Sequence, residues 1–251
     1  MNANKGASGV PRVGILGWEA GNKDTLSQFE QIEGNIANST TFDFPVAYKR
    51  VKGAYYQTVV VQPNAQVLEA MIQAARELEQ EGIRAIATSC GFNAIFQREL
   101  ANAVNVPVFA SSLIQVPLVH RMLKESQRVG IITANKECLT EQHLEGAGIT
   151  RMIPVVIRGV EATEEFSKIH DDPDAVLDVT RFQEEVVGVA DALVREDPDV
   201  GAIVLECTDL PPFAAAIRKA TGLPVFDIVT LTNMIYESVA GDRWGSAQNQ
   251  L

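Results

Sequence analysis

Three thiols are the groups in this 251-residue chain best suited to chemistry: Cys90, Cys138 and Cys207. They are odd in number and widely spaced, so they make neither a disulfide framework nor a CxxC zinc pair. Free thiols of this kind fit a reduced, cytoplasmic setting. Cys90 follows the apolar run 85–88 and opens an expected helix over 91–104. Cys207 follows the run 202–205 and opens a segment in which Pro211 and Pro212 suit the first turn of a helix. Each cysteine is thus expected at the carboxyl end of a strand and the amino terminus of a helix. Ligands of open α/β sheets bind there, and unpaired backbone N–H groups draw a thiol toward thiolate. Two such thiols facing each other across a cleft could invert a carbon next to a carboxylate. One thiolate would remove the proton, and the opposite thiol would deliver one to the other face, so each direction needs one sulfur charged and the other protonated.

The elements that must carry these thiols alternate along the chain. Residues 13–16, 85–88, 106–109, 129–133, 153–157, 202–205 and 224–226 are short, β-branched runs flanked by Gly, Pro or Asn. They read as parallel strands buried on both faces. Between them, Val67, Leu68, Met71, Ile72, Ala75 and Leu78 mark one face of a helix that closes at Gly82, and Phe182, Val186, Val189, Ala190 and Leu193 mark another. Alternation of this kind predicts an α/β fold with helices on both faces of parallel sheets.

The chain also repeats itself. Arg12-Val-Gly-Ile-Leu16 recurs 116 residues on as Arg128-Val-Gly-Ile-Ile132. Ala85-Ile86 recurs as Ala202-Ile203, Cys90 as Cys207, Phe96 as Phe213, and Pro107-Val-Phe109 as Pro224-Val-Phe226, each 117 residues on. Two pseudosymmetric halves from an internal duplication follow, over 11–117 and 118–227, with the catalytic cleft between them. The last helix, about 228–240, is expected to cross back onto the first half, with 1–10 and 241–251 as loose tails. Residues 18–44 form a long stretch after the first strand with no counterpart after Thr133, and loops of that length are often lids or binding loops. Cys138 has no partner in the repeat and lies on an expected helix over 136–146, so it reads as a packing residue.

Several polar groups flank the two thiols. Gly91, Phe92 and Asn93, with Thr208 and Asp209, sit where backbone N–H groups could cradle a carboxylate, although Asn93, Thr208 and Asp209 could equally cap helices. Ser111 and Ser112 could reach the cleft or cap the helix that follows. Ser89 adjoins one cysteine, and Glu206 adjoins the other, where it could raise the thiol's pKa by like charge or orient it by a hydrogen bond. Asp227 takes the place that repeats Ala110 and receives no role. His120, His143 and His170 lack metal-ligand spacing, so no metal is expected. Neither GxxxxGK[ST] nor GxGxxG follows the first strand, which gives a nucleotide cofactor no support.

Composition bounds the partners. At 46% hydrophobic and 21% charged residues, the chain can build a full core. A formal net charge of −11 repels phosphate backbones and anionic lipid, so nucleic-acid and membrane-surface work are not expected. No apolar stretch reaches the roughly 18–20 residues of a membrane span, and residues 1–10 lack the apolar core of a secretory signal. The acidic run 161–174 reads as a solvated connection.

The residues around the cysteines also resemble a known family. Thr88-Ser-Cys-Gly-Phe-Asn93, Leu205-Glu-Cys-Thr-Asp209 and Thr221-Gly-Leu-Pro-Val-Phe-Asp227 are similar to motifs of the aspartate/glutamate/hydantoin racemase superfamily, and the likeness runs from Arg12 onward. It implies a cofactor-independent enzyme acting on a small carboxylate, with one catalytic cysteine in each half, often assembled as a dimer or larger. Thr133-Ala134-Asn135 is similar to the family's second-half carboxylate-binding turn, and Gly17-Trp18 takes the equivalent place in the first half. Many amino-acid racemases carry Cys-Asn-Thr where this chain has Cys90-Gly91-Phe92. Both cysteine positions are filled, which is unlike a single-cysteine arylmalonate decarboxylase. A narrower likeness, in Cys90-Gly-Phe, 107–115 and Glu206-Cys-Thr-Asp-Leu-Pro-Pro-Phe213, is to the branch containing algal-type dimethylsulfoniopropionate lyases, with 18–48 as the segment expected to separate the two activities. Racemase or epimerase is the first expectation and lyase the alternative. A binding protein for a small ligand, with both cysteines as packing residues, is the second alternative.

Overall fold

The computed structural model describes residues 2–3, 9–19, 27–172 and 174–240. The expected tail 241–251, residues 20–26 of the long loop and the His170 side chain lie outside the described residues.

Two sheets divide the chain. The first contains β2 (Val13–Trp18), β3 (Val46–Val51), β4 (Ala85–Thr88) and β5 (Val108–Phe109), all parallel, in the order β3-β2-β4-β5. The second contains β6 (Arg128–Thr133), β7 (Val155–Gly159), β8 (Val200–Leu205) and β9 (Val225–Phe226), also parallel, in the order β7-β6-β8-β9. The orders are equivalent, and so are the registers: Val13 pairs with Ala85 as Val129 pairs with Ala202, and Ile86 pairs with Val108 as Ile203 pairs with Val225. Central strands β2, β4, β6 and β8 are apolar because both faces are covered.

The nine α-helices of the described residues are α1 (Ser27–Glu30), α2 (Ala65–Gln80), α3 (Gln97–Ala103), α4 (Val116–Met122), α5 (Glu141–Gly146), α6 (Glu164–Asp171), α7 (Val179–Glu196), α8 (Ala214–Thr221) and α9 (Ile228–Val239). Asn64 caps α2 by accepting the Val67 N–H, Asp178 caps α7 by accepting that of Arg181, and each helix buries one apolar stripe. The repeated glycine of the duplicated strands has a packing cause. A Cβ on Gly14 would sit 2.8 Å from Leu78 of α2, and one on Gly130 would sit 2.8 Å from Leu193 of α7. The duplication therefore conserves a strand–helix contact as well as a strand.

Two segments cross between the sheets. Helix α9 returns to the first: Ile228 and Leu231 are buried with Val13, Ile15, Ala85, Ala87 and Phe109, and Tyr236 stacks on Phe44 at 3.5 Å between ring centroids. In the other direction, residues 27–35 of the long loop reach the second half, while Ile36, Phe42 and Phe44 stay with the first sheet. Phe29 is fully buried against Phe166 and Phe182, with centroids 6.1 and 5.3 Å away. Beside it, the Gln28 side chain donates to the Ala175 carbonyl and accepts the Leu177 N–H, both at 2.9 Å.

The structure departs from the sequence reading in five places. A strand not expected from the sequence, β3, follows the long loop, and its Lys49 and Arg50 hide its apolar pattern. Residues 2–3 form a short strand β1 (Asn2–Ala3) antiparallel to β3, where a loose tail was expected. The expected helix over 136–146 is only α5, so Cys138 lies in the preceding turn, its N–H held by Asn135 Oδ1 at 3.1 Å. The acidic run 161–174 carries α6, which buries Phe166 and Glu165 rather than leaving the run solvated. The chain after Cys90 begins as a 3-10 turn, Gly91–Phe96, before α3.

Candidate active site

Strand β4 ends at Thr88 and β8 at Leu205, so Cys90 and Cys207 leave their sheets at equivalent points. Each precedes a 3-10 turn, Gly91–Phe96 in one case and Pro211–Phe213 in the other. The two strand ends meet. Thr208, directly after Cys207, donates its hydroxyl to the carbonyl of Ser89, directly before Cys90, at 2.7 Å. Ser112, after β5, donates to the Leu205 carbonyl at 2.6 Å, a second bond between the halves. Both thiols are buried, at 7% and 6% exposure, and lie close enough that charge on Cys90 opposes charge on Cys207.

Their surroundings differ. The Cys90 sulfur faces the backbone N–H groups of Phe92 and Asn93, which favour its thiolate, but burial outweighs them and Glu206 adds to the rise, so its pKa stands well above the ordinary value. Cys207 is likewise pushed up, by burial first and then by Asp209. Its sulfur lies 3.8 Å from Asp209 Oδ2 and points its proton at that carboxylate.

Glu206 is the most buried charged group of the site, with 0% exposure. Its Oε2 accepts the Thr133 hydroxyl at 2.7 Å, and the Ala134 N–H also points to its carboxylate. The Thr133–Ala134 turn, similar to a family carboxylate-binding turn, thus holds an internal carboxylate in this structure. Glu206 Oε1 has no hydrogen-bond partner and presses on Gly91, where a Cβ would collide with the Glu206 carbonyl oxygen and with Oε1. Gly91 is therefore required by the closeness of the two halves. Burial lifts the Glu206 carboxyl to about 7. Asp209 is lifted to about 6 by burial, opposed by a hydrogen bond of 2.8 Å from Asn35 Nδ2.

The other expected residues take mixed places. Asn93 is buried and donates its Nδ2 to Thr88 Oγ1 at 3.0 Å, while its Oδ1 has no partner. Ser111 caps the following turn by accepting the Leu113 N–H. At the end of β2, a Cβ on Gly17 would run into the Tyr48 ring. Trp18 meets Tyr56 edge-on at 6.4 Å, and its indole N–H is buried without a partner. Tyr56 Oη accepts from Asn135 at 3.2 Å, bridging the two halves on this side of the cysteines. Asp227 caps α9 and is not part of this cluster. His143 is buried edge-on to Phe92, and burial lowers its pKa to about 4, so it is neutral. Among the described residues no group of three or more His, Cys, Asp or Glu side chains could hold a metal ion, and no helix is long and apolar enough to cross a membrane.

Sequence reasoning missed Asn35, Tyr48 and Tyr56. Asn35 comes from the segment without a repeat partner, Tyr48 from β3 and Tyr56 from the turn after it. Strand β3 has a structural counterpart in β7 but no sequence match to it, so the signal that exposed the cysteines could not reach them.

Comparison with known proteins agrees with this architecture. Residues 13–233 match the family model described as Asp/Glu/Hydantoin racemase. A dimethylsulfoniopropionate lyase from Durusdinium sp. clade D is 29% identical over 86% of this chain and 74% of its own. Dimethylsulfoniopropionate lyase 6 of Emiliania huxleyi is 30% identical over 82% of this chain and 56% of its own, so the chain spans between about half and three-quarters of these relatives. Among solved structures, allantoin racemase from Pseudomonas fluorescens superposes with a TM-score of 0.60 at 20% identity, covering 91% of this chain and 90% of that one.

Proposed function

The chain belongs to the Asp/Glu/hydantoin racemase family, and from that premise we propose that it moves a proton on the carbon next to a carboxylate, using Cys90 and Cys207 and no cofactor. The observation that carries this reading is the bond from Thr208 to Ser89, which ties the two cysteine-bearing strand ends together. Two thiols brought together from opposite halves suit a two-base racemase or epimerase. The thiolate takes the α-proton, the electron pair is delocalised into the substrate carboxylate, and the opposite thiol protonates the other face. Both thiols carry raised pKa values, through burial first. Glu206 and Asp209 beside them favour a substrate with a cationic group near the reacting carbon over a second anion.

A second reading is β-elimination from a sulfonium acid. The dimethylsulfoniopropionate lyases among the relatives favour it. The first step is the same, but expulsion of the sulfide replaces reprotonation.

Proton NMR in D₂O, with chiral chromatography of the products, tests both. The purified protein is offered L- and D-amino acids, 2-hydroxy acids, hydantoins and dimethylsulfoniopropionate. Loss of an α-proton signal with appearance of the mirror enantiomer is expected for the racemase, and each single Cys→Ser variant should lose inversion. Dimethyl sulfide and acrylate would replace the first reading by the second. Full inversion in a variant lacking either thiol would overturn the two-base mechanism.

A further inference from the structure

Cys90 and Cys207 are related by the duplication, yet their immediate partners are not. Cys90 has two backbone N–H groups directed at its sulfur and, among the described residues, no carboxylate hydrogen-bonded to it, Glu206 acting on it through charge alone. Cys207 has the N–H of Asp209 and, at 3.8 Å, the Asp209 carboxylate as acceptor for its proton. That carboxylate is fixed from outside the repeat. Asn35, 1% exposed, donates Nδ2 to Asp209 Oδ1 at 2.8 Å, while its own Oδ1 accepts the Ala37 N–H at 2.9 Å, so the amide cannot turn over without losing both bonds. Asn35 sits on the segment that Phe29 and Gln28 anchor to the second half.

We propose that the Asn35–Asp209 pair makes the two thiols unequal, holding Cys207 as the resting proton donor and leaving Cys90 as the thiol that ionises first. Asn35 is then a positioning residue acting through Asp209. This rests on the two-thiol reading above. In the first turnover the substrate Cα–H bond breaks, its proton goes to the Cys90 thiolate and its electron pair to the adjacent carboxylate. The resulting carbanion takes the Cys207 proton on the opposite face. Cys90 is left as thiol and Cys207 as thiolate, and net return of one proton from Cys90 to Cys207 restores the resting form.

The test follows each thiol directly and needs no substrate. Iodoacetamide labelling rates at Cys90 and Cys207 are measured by mass spectrometry across pH in the full chain. The midpoint of each profile reports ionisation separately from accessibility, and Cys138 serves as the internal control. Groups whose charge reaches Asp209 are Glu30, Glu206, Tyr48 and the two thiols, so all variants are compared over the same pH range. In the native protein the Cys90 midpoint should lie below that of Cys207. The near-isosteric Asp209→Asn should lower the Cys207 midpoint by at least about one pH unit, the size expected for removing an adjacent like charge, with a smaller change at Cys90. Asn35→Ala should shift Cys207 less than Asp209→Asn does and add nothing when combined with it. A native Cys207 midpoint at or below that of Cys90, or one unmoved by Asp209→Asn, would overturn the proposal. If the midpoints behave as expected while no substrate turns over, the inequality of the thiols stands and the proton-transfer reading fails.

Discussion

Replacing Glu206 by Gln should make the protein more stable at alkaline pH while changing little at acid pH. Glu206 is fully buried, and burial lifts its carboxyl from 4.5 to about 7. A carboxyl whose folded pKa is raised contributes its full stability below the unfolded value and loses it as pH rises through the folded one. The window here runs from 4.5 to about 7. At about 1.4 kcal/mol per pH unit, the loss across it is about 3 kcal/mol. Gln keeps an oxygen for the Thr133 hydroxyl and the Ala134 N–H, and it does not ionise. Its NH₂ takes the place of Oε1, which has no partner in the native protein either. Urea unfolding of both proteins at pH 5 and pH 8 gives the comparison. The difference in unfolding free energy should move by about 2–3 kcal/mol toward the variant between the two pH values. A difference that stays constant with pH would refute the reasoning, because it would mean that Glu206 is ionised in the fold at little cost.

Other perturbations probe the contacts between the halves. Phe29→Ala empties the space between Phe166 and Phe182 and should destabilise by about 3–5 kcal/mol, read from a denaturant midpoint. Gly91→Ala forces a methyl into Glu206 and should cost about 1–3 kcal/mol, with turnover falling further than stability because the Cys90 turn must shift. Thermal unfolding and α-proton exchange rates on the same sample separate the two effects. Exchange of the α-proton from a single enantiomer, read by NMR in D₂O, should persist in one or both Cys→Ser variants even though inversion, read by chiral chromatography, is lost.

Much of this was legible in the amino acids because duplication writes each structural demand twice. Gly14 and Gly130 each admit a leucine from the covering helix, and Cys90 and Cys207 each leave a strand at the same point. Strand β3 escaped notice because Lys49 and Arg50 interrupt its apolar pattern near a sheet edge, where solvent accommodates them. Asn35 carries no local signal, since its partner Asp209 is 174 residues away and only the folded chain brings them together. Glu206 was visible as a neighbour of Cys207, but its place on the Thr133–Ala134 turn depends on how β6 and β8 lie side by side. The acidic run 161–174 misled because its charges surround one aromatic, Phe166, that finds a pocket in a distant segment.

The return of α9 to the first sheet has a consequence for synthesis on the ribosome. Val13, Ile15, Ala85 and Ala87 present an apolar face that Ile228 and Leu231 help to close. Ile228 is made 141 residues after Ala87, which at typical elongation rates is a delay of roughly 7–28 s. Throughout that interval the nascent first half carries an unsealed sticky face. A nascent chain that stops short of residue 228 therefore exposes apolar surface that the finished chain hides, and exposed apolar surface of that kind favours aggregation.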